Sequence, residues 1–328
     1  MSEKIVVDAN AYLHENVEPT SGLEDGSKNF LANSNPFEIA KVFSEFSRDN
    51  RVLVIPVGFP QAGKSLFLSS LMYYARNYAD NVIKTNFENN NQYQRGRLVV
   101  DQMIEYFHNG KLFEANRKGS LDLIGLTITP TKKDCPALKL GFLDLAGEDI
   151  KSIKTSENGD FTDRINAVFN GLKVDDSQVV FVLITPFDPP RINSESSDSA
   201  HNREDTLHYD FLNYIKQDQP QLLKNARFFV IVSQWDLNTD QNMQVEDYIR
   251  DYRPSVYSYV KNANVVWGEY SIGRILVSKV KNKDGKEVNM QEIVRKNFDY
   301  PSRFWKKLYH ICTNKDLDQK KWWEKLLG

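Results

Sequence analysis

The sequence predicts an α/β protein of three layers, a mostly parallel sheet with helices on both faces, and three observations carry that expectation. Short apolar runs of strand length alternate with longer stretches of helical apolar spacing, the pattern of strands joined by helical crossovers. A glycine-containing octamer, GFPQAGKS, lies between one such strand run and one such helical run. Two further apolar runs, joined only by the turn KKDCPA, read as an antiparallel pair that sets one strand against the rest of the sheet.

Along the chain, residues 1 to about 34 are polar, rich in Asn, Ser, Glu and Gly, and are expected to have little structure of their own. Asn35 is a candidate N-cap and Pro36 a first helical residue for FEIAKVFSEFSR, with apolar residues at 37, 39, 40, 43 and 46. VLVIPV (52–57) reads as a buried strand and LFLSSLMYYARNY, after Ser65, as an apolar helix. The polar stretch TNFENNNQYQRGR leads to a helix near VVDQMIEYFHNG. LDLIGLTITPT and ALKLGFLDLAG are the strands of the antiparallel pair, and Asp134 and Pro136 suit the turn between them. Strands then follow at VVFVLITPF (179–187), RFFVIVSQWD (227–236) and NVVWGEYSIG (264–273). DRINAVFNGL, TLHYDFLNYIKQ and VEDYIRDYRPSVYSYVKN are the helices between them. DPPRINSESSDSAHNRED (188–205) reads as a polar, mobile insertion. Near the end, apolar residues at 304, 305, 308, 309, 311 and 312 face away from lysines at helical spacing. Core packing is the first expectation for that segment, docking of a partner through Trp322 and Trp323 the second, and membrane-surface binding the third. The chain thus divides into an N-terminal extension with one helix over 1–49, a domain over 50–275 with an insert at about 80–120, and a C-terminal hairpin and helical extension over 276–328.

Composition narrows the function classes. Apolar residues at 41% and charged ones at 26% suit a soluble protein with a sizeable core. A net charge of -2 gives no bulk attraction to nucleic acid, so no nucleic-acid partner is expected. Two cysteines, Cys135 and Cys312, without metal-ligand spacing, argue against a disulfide scaffold or zinc site and suit a reducing cytoplasm. The N-terminal stretch lacks the pattern of a signal peptide, and no run approaches the ~20 apolar residues of a membrane helix. No membrane insertion is expected, and the expected location is cytoplasmic.

The octamer Gly58-Phe59-Pro60-Gln61-Ala62-Gly63-Lys64-Ser65 fits G-x-x-x-x-G-K-[ST] at every fixed position, in the strand–loop–helix context that a phosphate loop requires. Such a loop, running into Leu66, turns its backbone N–H groups onto a phosphate. Gly63 lets the backbone close, Lys64 neutralises phosphate charge, and the Ser65 hydroxyl can ligate magnesium. Pro60 supplies no N–H, which removes one donor. Asp144, at the end of an apolar strand, is placed to hold that magnesium through water, and Asp144 to Gly147 reads D-x-x-G. Ser233-Gln234-Trp235-Asp236 ends another strand. Tyr270-Ser271-Ile272-Gly273 follows the next strand.

In this order the four motifs resemble those of P-loop GTPases of the translation-factor-related, Ras-like (TRAFAC) class, over roughly residues 50 to 275. DLAGE, the long insert and YPSRFWKKLYHICT are similar to bacterial double-GTPase proteins of conflict systems. The resemblance implies a P-loop NTPase fold, GTP or GDP with Mg2+ as ligands, and hydrolysis of GTP to GDP and phosphate. It also implies a switch that acts on a protein partner or a second GTPase. Base contacts fall to Asp236, to Gln234 in place of the class's stacking lysine, and to the Ser271 backbone, while Ser233 stands in place of a loop-bracing asparagine. Catalysis falls to Lys64, to the Gly147 N–H on the γ-phosphate, and to Glu148, where many members carry a water-orienting glutamine. The threonine that closes over magnesium is expected between Ser65 and Asp144, and Thr127 is the candidate chosen over Thr129 and Ser120. Arg95 and Arg97 are read as solvated surface arginines, with an in-cis arginine finger as the second reading. The alternative function is an ATPase, a nucleotide kinase or a weakly hydrolysing nucleotide-binding scaffold.

Overall fold

Seven strands, β1 (Val52–Gly58), β2 (Ile83–Phe87), β3 (Leu121–Pro130), β4 (Leu138–Leu145), β5 (Gln178–Pro186), β6 (Arg227–Ser233) and β7 (Val265–Glu269), form one sheet in the order β2-β3-β4-β1-β5-β6-β7. β3 runs antiparallel to both of its neighbours, and all other pairings are parallel. This is a computed structural model that describes residues 30–59, 62–79, 81–90, 92–113, 121–145, 150, 159–172, 178–188, 197–281 and 287–317. Helices α1 (Phe30–Asn33), α2 (Pro36–Arg48), α3 (Lys64–Asn77), α4 (Gln94–His108) and α5 (Gly159–Gly171) accompany the first four strands. Helices α6 (Ser197–Asp218), α7 (Pro220–Asn225), α8 (Val245–Tyr252), α9 (Pro254–Val260) and α10 (Asp299–Thr313) complete the set.

Each face of the sheet has its own buried apolar cluster, which makes the three layers. Leu53, Ile55 and Val57 of β1 point to the side of α2, α5, α6 and α8, against Phe43, Phe169, Phe211 and Tyr248. Val52 and Val54 point the other way, toward α3, α4 and α10, against Phe67, Phe107 and Trp305. A strand covered on both faces must be apolar at every position, so β1 reads as a continuous run rather than an alternating one. α2 begins where expected: the Asn35 side chain accepts from the Glu38 N–H at 3.0 Å, and the Glu38 carboxylate accepts from the Asn35 N–H at 3.1 Å. α4 lies so close to β3 that a Cβ on Gly96 would stand 2.1 Å from the Leu123 carbonyl oxygen.

β8 (Gly273–Lys281) and β9 (Glu287–Lys296) form a separate antiparallel hairpin. α10 then returns to cover α3. The Trp305 indole N–H donates to the Leu71 carbonyl at 3.1 Å, and the Phe304 ring meets Phe67 edge-on at 5.2 Å. Core packing is therefore the role of this helix; Trp322 and Trp323 lie outside the described residues.

Three expectations are corrected. The polar stretch after α3 contains an edge strand, β2, of which only Ile83 and Phe87 are buried. The polar insertion at 188–205 is in part helical, because α6 starts at Ser197; residues 189–196 lie outside the described residues, as do 1–29. The single helix expected over VEDYIRDYRPSVYSYVKN is two, since Arg253, ahead of Pro254, leaves helical geometry at φ -137° and ψ 56°. Among the described residues no helix is long and apolar enough to cross a membrane.

Candidate functional site

The candidate site lies at the C-terminal ends of β1, β4, β6 and β7, the edge of an open α/β sheet where loops leave to form a crevice. β1 ends at Gly58, and the turn that follows is closed by the Ala62 N–H donating to the Phe59 carbonyl at 3.0 Å. Pro60 and Gln61 lie outside the described residues. Gly63 sits at φ +85°, a conformation that a side chain would strain, and α3 starts at the next residue, Lys64. Ser65 and Leu66 follow in the first turn of α3, where backbone N–H groups lack helical acceptors and favour an anion.

Lys64 is buried, and its ammonium donates to Asp144 Oδ1 at 2.7 Å and to the Leu145 carbonyl. Asp144 is fully buried at the end of β4, and its second oxygen, Oδ2, has no hydrogen-bond partner among the described residues. An orphaned carboxylate oxygen in a buried site is costly unless something binds it. Among the described residues no group of three or more His, Cys, Asp or Glu could cage a metal ion. One such oxygen beside the open N–H groups at the start of α3 does fit magnesium, which takes one or two carboxylates and fills its octahedron with phosphate oxygens and water.

Two further loops, after β6 and β7, are tied to the glycine-rich loop and to α3. The Ser233 hydroxyl donates to the Ala62 carbonyl at 2.7 Å, bracing the glycine-rich loop from the end of β6. Gln234 takes a left-handed conformation at φ 56°, and Trp235–Leu237 forms one 3-10 turn that presents Asp236 to solvent. The Trp235 N–H donates to the Tyr270 carbonyl at 3.2 Å, next to the buried Ser271. The Tyr270 hydroxyl donates in turn to Ser70 Oγ on α3 at 2.9 Å. Gln234, Asp236 and Ser271 are thereby carried on two adjoining loops, both fastened to the glycine-rich loop or to α3.

Thr127 is not brought to this site. It stands opposite Lys139, and its hydroxyl donates to Glu88 at 3.4 Å. Five positions along β3 separate it from Asp122, the residue opposite Asp144, so it lies about 17 Å away at about 3.4 Å per residue. The strand, rather than the motif order, sets that distance. Thr129 is farther along the same strand, and Ser120 lies outside the described residues, as do Gly147 and Glu148. Arg97 is held on α4, with its guanidinium on Asp101 at 3.0 Å and on the Phe87 carbonyl at 3.2 Å.

Two features escaped the sequence. Asp122, an acid inside an apolar strand run, pairs in register with Asp144 across β3 and β4 and is buried. Burial pushes its carboxyl up to about 6, and the neighbouring Asp144 charge adds to this, while Arg95, 3.6 Å away on α4, and Lys64 oppose it. Behind the loop, His208 of α6 donates from Nε2 to the carbonyl of Val57, the residue before Gly58, at 3.3 Å. Burial lowers its pKa to about 4. Beside it, Arg253 donates to Thr185 Oγ1 at 3.1 Å, and Asp205 accepts from the Ser255 and Val256 N–H groups at the start of α9. The chain matches no protein-family model and no curated protein.

Proposed function

We propose that the chain is a P-loop GTPase that binds GTP with Mg2+ at this site and hydrolyses it to GDP and phosphate. In this reading it is a switch read by a protein partner or a second GTPase. The observation that carries the reading is the meeting of Lys64 and Asp144 at 2.7 Å, with Asp144 Oδ2 buried and left for a ligand, at the start of α3. Lys64 would turn from Asp144 to the β- and γ-phosphates, which also join the N–H groups of the first turn of α3. Ser65 and, through water, Asp144 would hold magnesium, which would supply positive charge to neutralise the phosphates. Ser233 keeps the base loop and the phosphate loop at a fixed spacing, and Asp236 selects guanine through its paired acceptance. Gly147 and Glu148 follow β4 directly in sequence, and their share in hydrolysis rests on that position.

The test is a titration with GTP, GDP, ATP and a non-hydrolysable GTP analogue, with Lys64→Ala as control, followed by phosphate release. Guanine nucleotides should bind at least tenfold tighter than ATP, and Lys64→Ala should lose at least tenfold, about 1.4 kcal/mol. Asp236→Asn should shift preference toward xanthine nucleotides. Tighter binding of ATP than of GTP by the wild type would overturn the reading.

A further inference from the structure

We propose that Asp122 is a second carboxylate of the divalent-cation site, accepting a hydrogen bond from a metal-bound water beside Asp144, with Arg95 holding it in place. The inference rests on the magnesium–nucleotide reading and adds to it a residue outside every motif that suggested it.

The strand register supplies the geometry. Asp122 and Asp144 are direct partners across an antiparallel pair, so their side chains leave on the same face with Cβ atoms about 5 Å apart. That face is the one of α3 and α4, because Ile124 and Leu126 of β3 and Leu140 and Phe142 of β4, at even spacing from them, pack in the cluster with Phe67 and Phe107. Two buried carboxylates facing each other repel, and like charges directly opposite destabilise a sheet. Lys64 meets Asp144 at 2.7 Å, and Arg95 meets Asp122 at 3.6 Å. The second contact is an ion pair longer than a hydrogen bond, and Arg95 Nε is itself buried without a hydrogen-bond partner. When Lys64 turns to a phosphate, the positive charge that meets Asp144 moves away from the facing carboxylates. A hydrated divalent cation would replace that charge, and the orphaned Asp144 Oδ2 marks where it would be met. Arg95 keeps its place because Gly96, the next residue, allows α4 to rest directly on the β3 backbone.

The competing role is structural: an ion pair that merely fastens α4 to β3. Asp122→Asn separates the two. The readouts are the Mg2+ concentration that half-maximally supports GTP binding and Mn2+ affinity of the nucleotide complex, followed by water-proton relaxation. Asp122→Asn should require about tenfold more of either metal, the usual effect of removing a group that orients a metal's ligands. GTP affinity in excess chelator and the melting temperature should not fall. Arg95→Ala, which keeps the carboxylate but frees it, should raise the metal requirement severalfold, and it decides the matter should Asp122→Asn fail to fold. An unchanged metal requirement in a folded Asp122→Asn protein would overturn the inference. Wild-type protein that binds no nucleotide would instead overturn the magnesium–nucleotide reading on which it rests.

Discussion

His208 gives the fold a pH dependence that can be worked out from the structure. Its ring is buried beneath β1 and donates to the Val57 carbonyl, which only accepts, so the neutral Nε2–H tautomer is the one held. Burial is the main cause that lowers its pKa from 6.5 to about 4; the nearby Arg253 charge adds to this, while the Val57 contact and Asp205 oppose it. The unfolded chain therefore takes up a proton below about pH 6.5, which the native chain refuses until about pH 4. The stability this site confers is fully present above that window and is lost as pH falls through it. Integrating the linkage gives a loss of about 2 kcal/mol by pH 5 and about 3 kcal/mol by pH 4. The test is urea unfolding of wild type and His208→Gln near pH 7 and near pH 5; Gln keeps an N–H for Val57 but does not titrate. Contributions of the carboxylates cancel in the difference between the two proteins. That difference should move by about 2 kcal/mol in favour of the variant on acidification. A difference that stays constant across the window would refute the argument that the native chain holds His208 as a buried neutral imidazole against Val57.

Ser233→Ala removes the donor that braces the Ala62 carbonyl and leaves a buried acceptor unpaired. It should cost about 1–2 kcal/mol in unfolding free energy and weaken GTP binding by up to about tenfold. An equally stable variant with unchanged affinity would show that the two loops hold their spacing without it. Gly96→Ala places a methyl group 2.1 Å from the Leu123 carbonyl oxygen, a backbone atom that cannot swing aside. Despite the gain of about 1 kcal/mol in helix propensity, thermal unfolding should report a net loss of about 1–3 kcal/mol as α4 is forced off β3.

The elements that the sequence announced are those whose signal is local. β1 is apolar throughout because both faces are covered, and the α2 start is written in Asn35, Pro36 and Glu38. The antiparallel pair was legible because only a short turn separates its strands. β2 was not, because an edge strand with Lys84, Thr85 and Asn86 between its two buried residues carries almost no apolar pattern. The split between α8 and α9 was signalled by Pro254, whose effect on Arg253 overrides a helical period that runs through both. In the site, Gly63, Lys64, Asp144 and Ser233 each sit at a strand or helix end, where the neighbouring element names the position. Asp122 and Thr127 share one strand, and nothing in its composition tells which end faces Asp144. Only the pairing register, set by the length of the β3–β4 connection, brings Asp122 to the site and carries Thr127 away from it.

α10 closes a contact between residues 234 positions apart, from Trp305 back to Leu71. On the ribosome, the helix that starts at Lys64 is made long before the segment that shelters it. Until α10 has emerged, Phe67, Phe142 and Phe229, which it covers through Phe304 and Trp305, are open to chaperones or to misassembly. A premature stop or proteolytic cut ahead of Asp299 would leave every motif residue in place and still bare this aromatic surface. The motif residues can thus all be present in a nascent chain whose fold is not complete.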